Sequence, residues 1–290
     1  MKISVIIPSY NQGRFLVDCV ESLVSQQLNL GTTVEILIFD GGSKDTTQET
    51  IKPYLEKYSN VCFFSEQDRG QSNAINKGFR KATGNIICWL NCDDYFLPGA
   101  LACVARHFHA YPHLQWLYGD GVLVAEDKKT LGVFPASREY DQWVLVSLLD
   151  YIFQPSTFWR RTMIEKVGDL DETLNWGMDW DYFIRLGKVS TPHYVRQQLS
   201  AQRIYGSTKT ATGGTKRLKE LYRIMRRHGA PFFPPGLLHY SYLEFWPLAE
   251  KNLSQKTYAR VMPWLDRIYK RILFPALLRW THQTCPYKGD

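Results

Sequence analysis

The sequence predicts an α/β protein, with a mostly parallel sheet flanked by helices on both faces and a helical, basic C-terminal extension. Three observations carry that expectation. Short, β-branched apolar runs alternate with helical stretches through the first 120 residues. Polar and acidic residues gather where those runs end. The charge also changes sign along the chain: residues 1–202 hold 19 Lys/Arg against 23 Asp/Glu, and residues 203–290 hold 16 against 5.

Lys2–Pro8 is a continuous apolar run, as expected of a strand covered on both faces. Gly13–Gln26 carries Phe15, Val17, Cys19, Val20, Leu23 and Val24 at helical spacing. Val34–Phe39 reads as a second buried strand, closed by Asp40 and the turn Gly41-Gly42-Ser43. Thr46–Tyr58 reads as a helix that Pro53 kinks or ends. Val61–Ser65 is a third strand, Gln71–Ala82 a helix and Ile86–Leu90 a fourth strand. Asn91-Cys92-Asp93-Asp94 follows, then Pro98-Gly99, a helix through Tyr111, and Trp116–Tyr118. In parallel sheets ligands bind beyond the carboxyl ends of the strands. Here those ends carry Pro8-Ser9-Tyr10-Asn11, Asp40, Glu66-Gln67-Asp68 and Asn91-Cys92-Asp93-Asp94.

Regular alternation is lost over residues 121–205, which read as mixed strands, loops and short helices. Thr215–His228 is a basic helix, and Pro231 with Pro234-Pro235 marks a boundary before residues 231–290.

With 44% hydrophobic and 22% charged residues, the chain is neither disordered, nor collagen-like, nor a small disulfide scaffold. Nine Trp, 17 Tyr and 15 Phe exceed the needs of one core, so some belong to a groove or interface. Cys19, Cys62, Cys88, Cys92, Cys103 and Cys285 form no C-x-x-C pair, and nothing beside Cys88 and Cys92 completes a zinc site. Buried free thiols in a reducing cytoplasm are expected. The first apolar run is too short for a signal peptide, and no stretch has the length of a bilayer span. The expected location is cytoplasmic, with a peripheral position at the inner face of the plasma membrane left open. No helix-turn-helix, RRM or zinc-finger pattern accompanies the basic tail, so no nucleic acid partner is expected.

Neither G-x-G-x-x-G, nor a P-loop, nor a G-x-S-x-G elbow is present. What remains is carboxylates: Asp40, Asp93, Asp94, Asp179 and Asp181. Paired acids at a strand end suit Mg²⁺ or Mn²⁺, which takes one or two carboxylates plus substrate phosphates and can neutralise a diphosphate leaving group. The competing reading is that Asp93 and Asp94 cap the helix near Pro98. Asp179 qualifies as a general base if folding brings it near the first acids, whereas Asp181, two residues on, points elsewhere on a helix. Alternatively both stabilise the N-terminus of the helix running to Leu186.

These residues resemble the family 2 glycosyltransferases of GT-A fold, from about Ile3 to Lys209. Ser4-Val5-Ile6-Ile7-Pro8-Ser9-Tyr10-Asn11 is similar to the family's opening strand and nucleotide loop. Asp40-Gly41-Gly42-Ser43-Lys44-Asp45-Thr46 resembles the segment whose first Asp contacts the nucleobase. Asp68-Arg69-Gly70-Gln71 matches the segment after the third strand, and Asn91-Cys92-Asp93-Asp94 stands at the metal motif. Gln154-Pro155-Ser156-Thr157-Phe158 resembles the acceptor-side strand, and Met178-Asp179-Trp180-Asp181 the segment whose first Asp is the base.

The resemblance implies a GT-A catalytic domain over residues 1–230, with a nucleotide-sugar half (1–120) and an acceptor half (121–230), before the extension at 231–290. It implies a nucleotide-diphosphate sugar donor, a UDP-sugar first among them, held by Pro8, Tyr10, Asn11, Asp40, Asp68, Arg69, Asn91 and Asp93. Asp93 would hold Mn²⁺ or Mg²⁺, Asp179 would be the catalytic base, and Asp94, Asp181 and Arg203 would support them. The reaction implied is inverting and non-processive, on a glycan or lipid-linked acceptor, in cell-envelope or exopolysaccharide assembly. Two positions depart from the pattern. Asn91 stands where many members carry the first Asp of the metal motif, and Arg203-Ile204-Tyr205 where many carry Arg-x-His. Those departures keep open a catalytically degenerate nucleotide- or glycan-binding protein of the same fold. A nucleotidyltransferase is the other enzyme reading, although the first loop lacks the Gly-rich, basic character that it needs.

Residues 260–280 mix Val261, Trp264, Leu265, Ile268, Ile272 and Leu273 with Arg260, Arg267, Lys270, Arg271 and Arg279. Two readings fit: a helix lying on an anionic membrane, or one packed on the catalytic domain or a dimer partner.

Overall fold

A computed structural model of the chain describes residues 1–28, 31–206 and 213–277, without the side chains of residues 246–248 and 251. Lys209, Arg279, Trp280 and Cys285, singled out above, lie outside the described residues. The chain divides into two compact units, Met1–Tyr140 with Ile152–Thr208, and Asp141–Tyr151 with Lys209–Asp290.

The first unit is built on a sheet of nine strands: β1 (Lys2–Ser9), β2 (Thr33–Asp40), β3 (Val61–Ser65), β4 (Ile86–Trp89), β5 (Tyr95–Phe96), β6 (Trp116–Val124), β7 (Thr130–Val133), β8 (Thr157–Arg160) and β9 (His193–Arg203). The order is β3-β2-β1-β4-β8-β6-β9-β5, with β7 added beside β6. β3, β2, β1 and β4 are parallel, with Val5 opposite both Ile36 and Cys88. The Ile and Val of β1 and β4 are fully buried, which is why both read as largely apolar runs. Beyond β4 the sheet turns mixed. β8 runs antiparallel to β4 and β6, while β9 runs parallel to β6 and antiparallel to β5.

Helices α1 (Gly13–Val24), α2 (Thr47–Lys57), α3 (Gln71–Lys81) and α4 (Ala100–Ala110) connect the first strands; α6 (Thr162–Val167) and α7 (Met178–Val189) precede β9. Pro53 lies inside α2 without ending it. α3 lies close on the sheet because Gly78 has no side chain: a Cβ there would stand 2.3 Å from Ile6 Cγ2. On the α3 and α7 side, Phe79, Trp89, Trp159, Tyr182 and Phe183 form a buried aromatic cluster, with Trp89 and Trp159 edge-on at 5.5 Å.

Glu35 on β2 ties three segments together. It accepts hydrogen bonds from Lys2 Nζ (2.7 Å), the Ser4 hydroxyl, and the Thr83 hydroxyl (2.7 Å) and backbone N–H (3.0 Å). Burial alone would raise its pKa, but these donors outweigh it and hold the carboxyl at about 2. Cys19, Cys88, Cys92 and Cys103 are buried, Cys62 is half-buried, and all five are free thiols.

The second unit contains α5 (Gln142–Ser147), α8 (Gly214–Arg227), α9 (Pro235–Asn252) and α10 (Gln255–Ile268), which runs into a π turn at Tyr269–Leu273. Asp141 caps α5 by accepting from Val144 N at 2.9 Å. The Tyr242 and Tyr269 rings stack at 3.8 Å, and Tyr242 donates to Asp266 at 2.8 Å. Met262 and Tyr269 are buried, whereas Val261, Trp264, Ile272 and Leu273 are exposed. Pro263 is accommodated inside α10. Among the described residues no helix is long and apolar enough to cross a membrane.

Candidate active site

Parallel strands aim their carboxyl ends the same way, so β1, β2, β3 and β4 deliver their following loops to one edge of the sheet. β1 ends with Pro8 and Ser9, opposite Phe39 and Asp40 of β2, and its loop continues through the exposed Tyr10 to Asn11. Asn11 has φ of 52°, in the left-handed region that Asn tolerates best after Gly. Its backbone N–H donates to Ser43 Oγ (2.7 Å) and its Oδ1 accepts from Lys44 N (2.9 Å). The first loop is thereby tied to the loop after β2.

Asp40 closes β2 and is 1% exposed. Its carboxylate accepts from Gly42 N (3.2 Å), Ser43 N (2.9 Å) and both the Ser43 and Ser65 hydroxyls, the last at 2.7 Å. Asp68, after β3, reaches the same turn: a Cβ on Gly41 would stand 2.7 Å from Asp68 Oδ2. Asp68 also accepts from Gly70 N at 2.8 Å. Arg69 instead reaches Glu172, at 2.7 Å. Beside the first loop, Asn11, Arg14, Lys44, Asp45, Thr46 and Glu49 line an open depression.

The acid loop follows β4. Asn91 sits at its centre, accepting from Gln71 Nε2 (2.7 Å) and donating from Nδ2 to Asp94 Oδ2 and Gln154 Oε1, both at 3.2 Å. Gln154 in turn donates to Trp89 O at 2.9 Å. Asp94 is buried and faces inward, accepting from Arg203 N at 3.0 Å. Burial, and next the charge of Asp93, push its carboxyl well above the usual range. Asp93 faces outward and is half-buried. Its Oδ2 accepts from the Tyr205 hydroxyl at 2.7 Å, while Oδ1 takes no hydrogen bond among the described residues. Neither acid caps α4, whose N-cap is Gly99.

Arg203, at the end of β9, is buried beneath this loop. It donates from Nη1 to the Asp93 carbonyl (2.9 Å), pairs with Asp18, and stacks its guanidinium 4.8 Å from the Phe15 ring centre. The site includes the Arg203 side chain as a strut under the acid loop. Two residues on, Tyr205 bridges the acid loop to the first loop: Gln12 Nε2 lies 3.5 Å from its hydroxyl and its ring packs 5.3 Å from Phe15.

Asp179 lies half-buried in the first turn of α7, its Oδ1 accepting from Trp180 N at 2.9 Å. Met178 Sδ accepts from the Ser72 hydroxyl at 2.8 Å, so the starts of α7 and α3 meet. Since Gln71 of α3 bonds Asn91, Asp179 is linked to the acid loop through two helix N-termini. Asp181 turns away into an ion pair with Arg185, 2.9 Å.

Sequence reasoning assigned no role to Gln71, Gln154, Gln12 or Asp18, all of which hold this site together. For Gln71 and Gln154 the available signal was their place in two of the family-like segments, at the start of a helix and before a strand.

For a divalent cation the donor set is lean. Among the described residues no three His, Cys, Asp or Glu side chains cluster as a complete metal site. One outward carboxylate with an uncommitted oxygen nevertheless fits a hard cation that takes its other ligands from substrate phosphates and water. Asp93 is that carboxylate, and Asp94 is committed to its inward bonds.

A mixed sheet of this order, with acids at the carboxyl edge of its parallel half, is the fold of GT-A glycosyltransferases. The chain belongs to glycosyl transferase family 2, whose model matches residues 4–167. It is 24% identical over 216 residues to an uncharacterized glycosyltransferase of Rickettsia typhi, an alignment covering 72% of this chain and 66% of that protein. The fold is similar to that of S. aureus TarS 1-349 in complex with UDP-GlcNAc (TM-score 0.64, 15% identity, 99% of this chain and 82% of that one). It is also similar to the mannosyltransferase PcManGT from Pyrobaculum calidifontis in complex with GDP-Man and Mn²⁺ (TM-score 0.60, 15% identity, 99% and 88%).

Proposed function

We propose that this protein transfers one sugar from a nucleotide-diphosphate sugar, a UDP-sugar first among candidates, to a hydroxyl of a glycan or lipid-linked acceptor, with inversion at the anomeric carbon. One observation supports this most: the first loop, Asp40, Asp68 and the outward Asp93 share one sheet edge, and the helix start bearing Asp179 meets the start of α3, which is tied to the acid loop through Gln71 and Asn91. In this reading the Asn11–Ser43–Asp40 turn system and Asp68 receive the nucleoside. Asp93 receives the diphosphate end together with Mn²⁺ or Mg²⁺, which when bound would neutralise charge on the leaving phosphate.

Asp179 accepts the proton of the acceptor hydroxyl. The hydroxyl oxygen forms the new bond to the anomeric carbon as the bond to the diphosphate oxygen breaks, and the nucleoside diphosphate leaves with that electron pair. Asn91, Arg203 and Gln154 keep the acid loop in shape throughout. A place in cell-envelope or exopolysaccharide assembly, at the inner face of the membrane, accords with the second unit. There the exposed Val261, Trp264, Ile272 and Leu273 run beside Lys256, Arg260, Arg267 and Arg271, a pattern suited to an anionic lipid surface.

The test is thermal stabilisation by UDP, GDP, dTDP and CDP, each with and without Mn²⁺, because a ligand that binds the native state raises its stability. A metal-dependent shift with one nucleotide is expected, together with slow hydrolysis of the matching nucleotide sugar. A shift without hydrolysis or transfer would favour a degenerate nucleotide-binding protein. No shift with any nucleotide in folded protein overturns the transferase reading and favours a degenerate glycan-binding protein of the same fold.

A further inference from the structure

Tyr205 occupies an unusual position for a residue at the edge of a catalytic site. Its hydroxyl donates to Asp93 Oδ2 at 2.7 Å, the carboxylate assigned above to the cation and diphosphate. The backbone just before it is fixed: Arg203 N is held by Asp94, and the Arg203 guanidinium by the Asp93 carbonyl and Asp18. Tyr205 itself is only half-buried and lies two residues beyond Arg203, the last residue of β9. Its ring rests on Phe15, with the Arg14 guanidinium 5.8 Å from its centre, and Gln12 approaches its hydroxyl. These neighbours belong to the loop and helix that follow β1, on the side from which a donor would approach.

A phenol O–H and a cation compete for the same carboxylate lone pairs. The hydroxyl holds one lone pair of Asp93 Oδ2 and draws on the carboxylate's charge, so it weakens the hold on a cation at Oδ1 and opposes one that would take both oxygens. We propose that Tyr205 is a positioning residue that latches Asp93 in the donor-free protein and releases it when cation and diphosphate arrive. The latch fixes the orientation of the outward carboxylate, and it lowers the intrinsic affinity for the cation. Selectivity for a cation arriving with a diphosphate over the cation alone follows. The inference rests on the reading of Asp93 given above.

Mn²⁺ binding, read from the free-ion electron paramagnetic resonance signal with UDP absent and then saturating, separates the possibilities. Tyr205→Phe keeps the ring on Phe15 and removes the hydroxyl. It is expected to bind Mn²⁺ about tenfold more tightly without UDP, the size of one hydrogen bond to a charged group. The gain should shrink when UDP is present. Tyr205→Leu, which keeps an apolar contact, should behave the same way if the hydroxyl is what matters, and Asp93→Asn should abolish binding in either background. Unchanged or weaker Mn²⁺ binding by both Tyr205 variants, beside a wild type that binds, overturns the latch and leaves the proposed activity standing. Failure of every variant to bind Mn²⁺, with or without UDP, overturns the latch and the role of Asp93 together. A drop in melting temperature with Mn²⁺ affinity unchanged would mark Tyr205 as structural alone.

Discussion

Asn91 Oδ1 accepts a hydrogen bond from Gln71 Nε2 at 2.7 Å, so the residue that opens α3 is fastened to the residue that opens the acid loop. The same Asn91 side chain donates to Asp94 and Gln154. An amide can do both, whereas a carboxylate cannot donate. Asn91→Asp, which would restore the more usual family residue, is therefore expected to destabilise the protein by about 1–3 kcal/mol, because a second charge would face the buried Asp94 and Gln154 would lose its donor. Chemical denaturation at pH 7 checks this, and an unchanged midpoint would refute it.

The Asp179 and Asp93 roles separate under conservative substitution. Asp179→Asn should lower transfer by at least about 100-fold, the lower end of general-base contributions, with nucleotide affinity little changed. Asp93→Asn should lower transfer and metal-dependent nucleotide affinity together. Initial rates and calorimetric titration with nucleotide measure the two effects.

Close helix–sheet contact at Gly78 predicts a packing defect rather than a catalytic one. Gly78→Ala puts a methyl 2.3 Å from Ile6 Cγ2. The expected cost is about 1–3 kcal/mol, read as a lower denaturation midpoint. A stability equal to wild type would mean that α3 can lift from β1 freely.

Stability should fall with acid in two windows. Glu35 is held at about 2 against an ordinary 4.5, so its contribution is complete above 4.5 and lost as pH falls towards 2. Glu35→Gln should cost about 1–2 kcal/mol at pH 7, allowing for solvent screening of the half-exposed Lys2, and should flatten that window. His239, buried and depressed to about 4 against 6.5, is neutral in the fold. Its contribution is complete above 6.5 and is lost as pH falls from there to 4. Melting curves from pH 8 to 3 should show the His239 loss first.

The exposed stripe of the second unit predicts binding to lipid. Vesicles containing anionic phosphatidylglycerol should float the protein at low salt, and neutral phosphatidylcholine vesicles should not. Paired Trp264→Glu and Ile272→Glu substitutions should abolish flotation. Equal flotation of wild type and variant would remove these side chains from any membrane role.

The parallel half of the sheet was legible because β1, β2 and β4 are buried along most of their length and half of their residues are Ile, Val or Leu. The turns around Asp40 and Asn91 were legible because Gly, Asn and Asp cluster there. β9 was not, since Gln197, Gln198, Ser200 and Gln202 break any simple alternation, and a register shift at Gly119–Gly121 lies behind its pairing with β6. The reversal at β8 rests on contacts between residues about 70 positions apart, which local periodicity does not encode. Within the site, acids announced themselves by charge. The amides that hold them, Gln71 and Gln154, stood in family-like segments, but their hydrogen bonds to Asn91 emerge only when the fold sets them opposite it. Arg203 was expected to support the acids, and the fold makes it a buried strut beneath their loop.

The free cysteines have a use that chemistry alone confers. Cys19, Cys88 and Cys92 lie in α1, in β4 and in the acid loop, and burial pushes each thiol up so that little thiolate is present at neutral pH. Alkylation must then wait for each segment to open. The protein thus carries three native clocks around its own site, and labelling rates at Cys19, Cys88 and Cys92 would time the breathing of α1, β4 and the acid loop without any introduced probe.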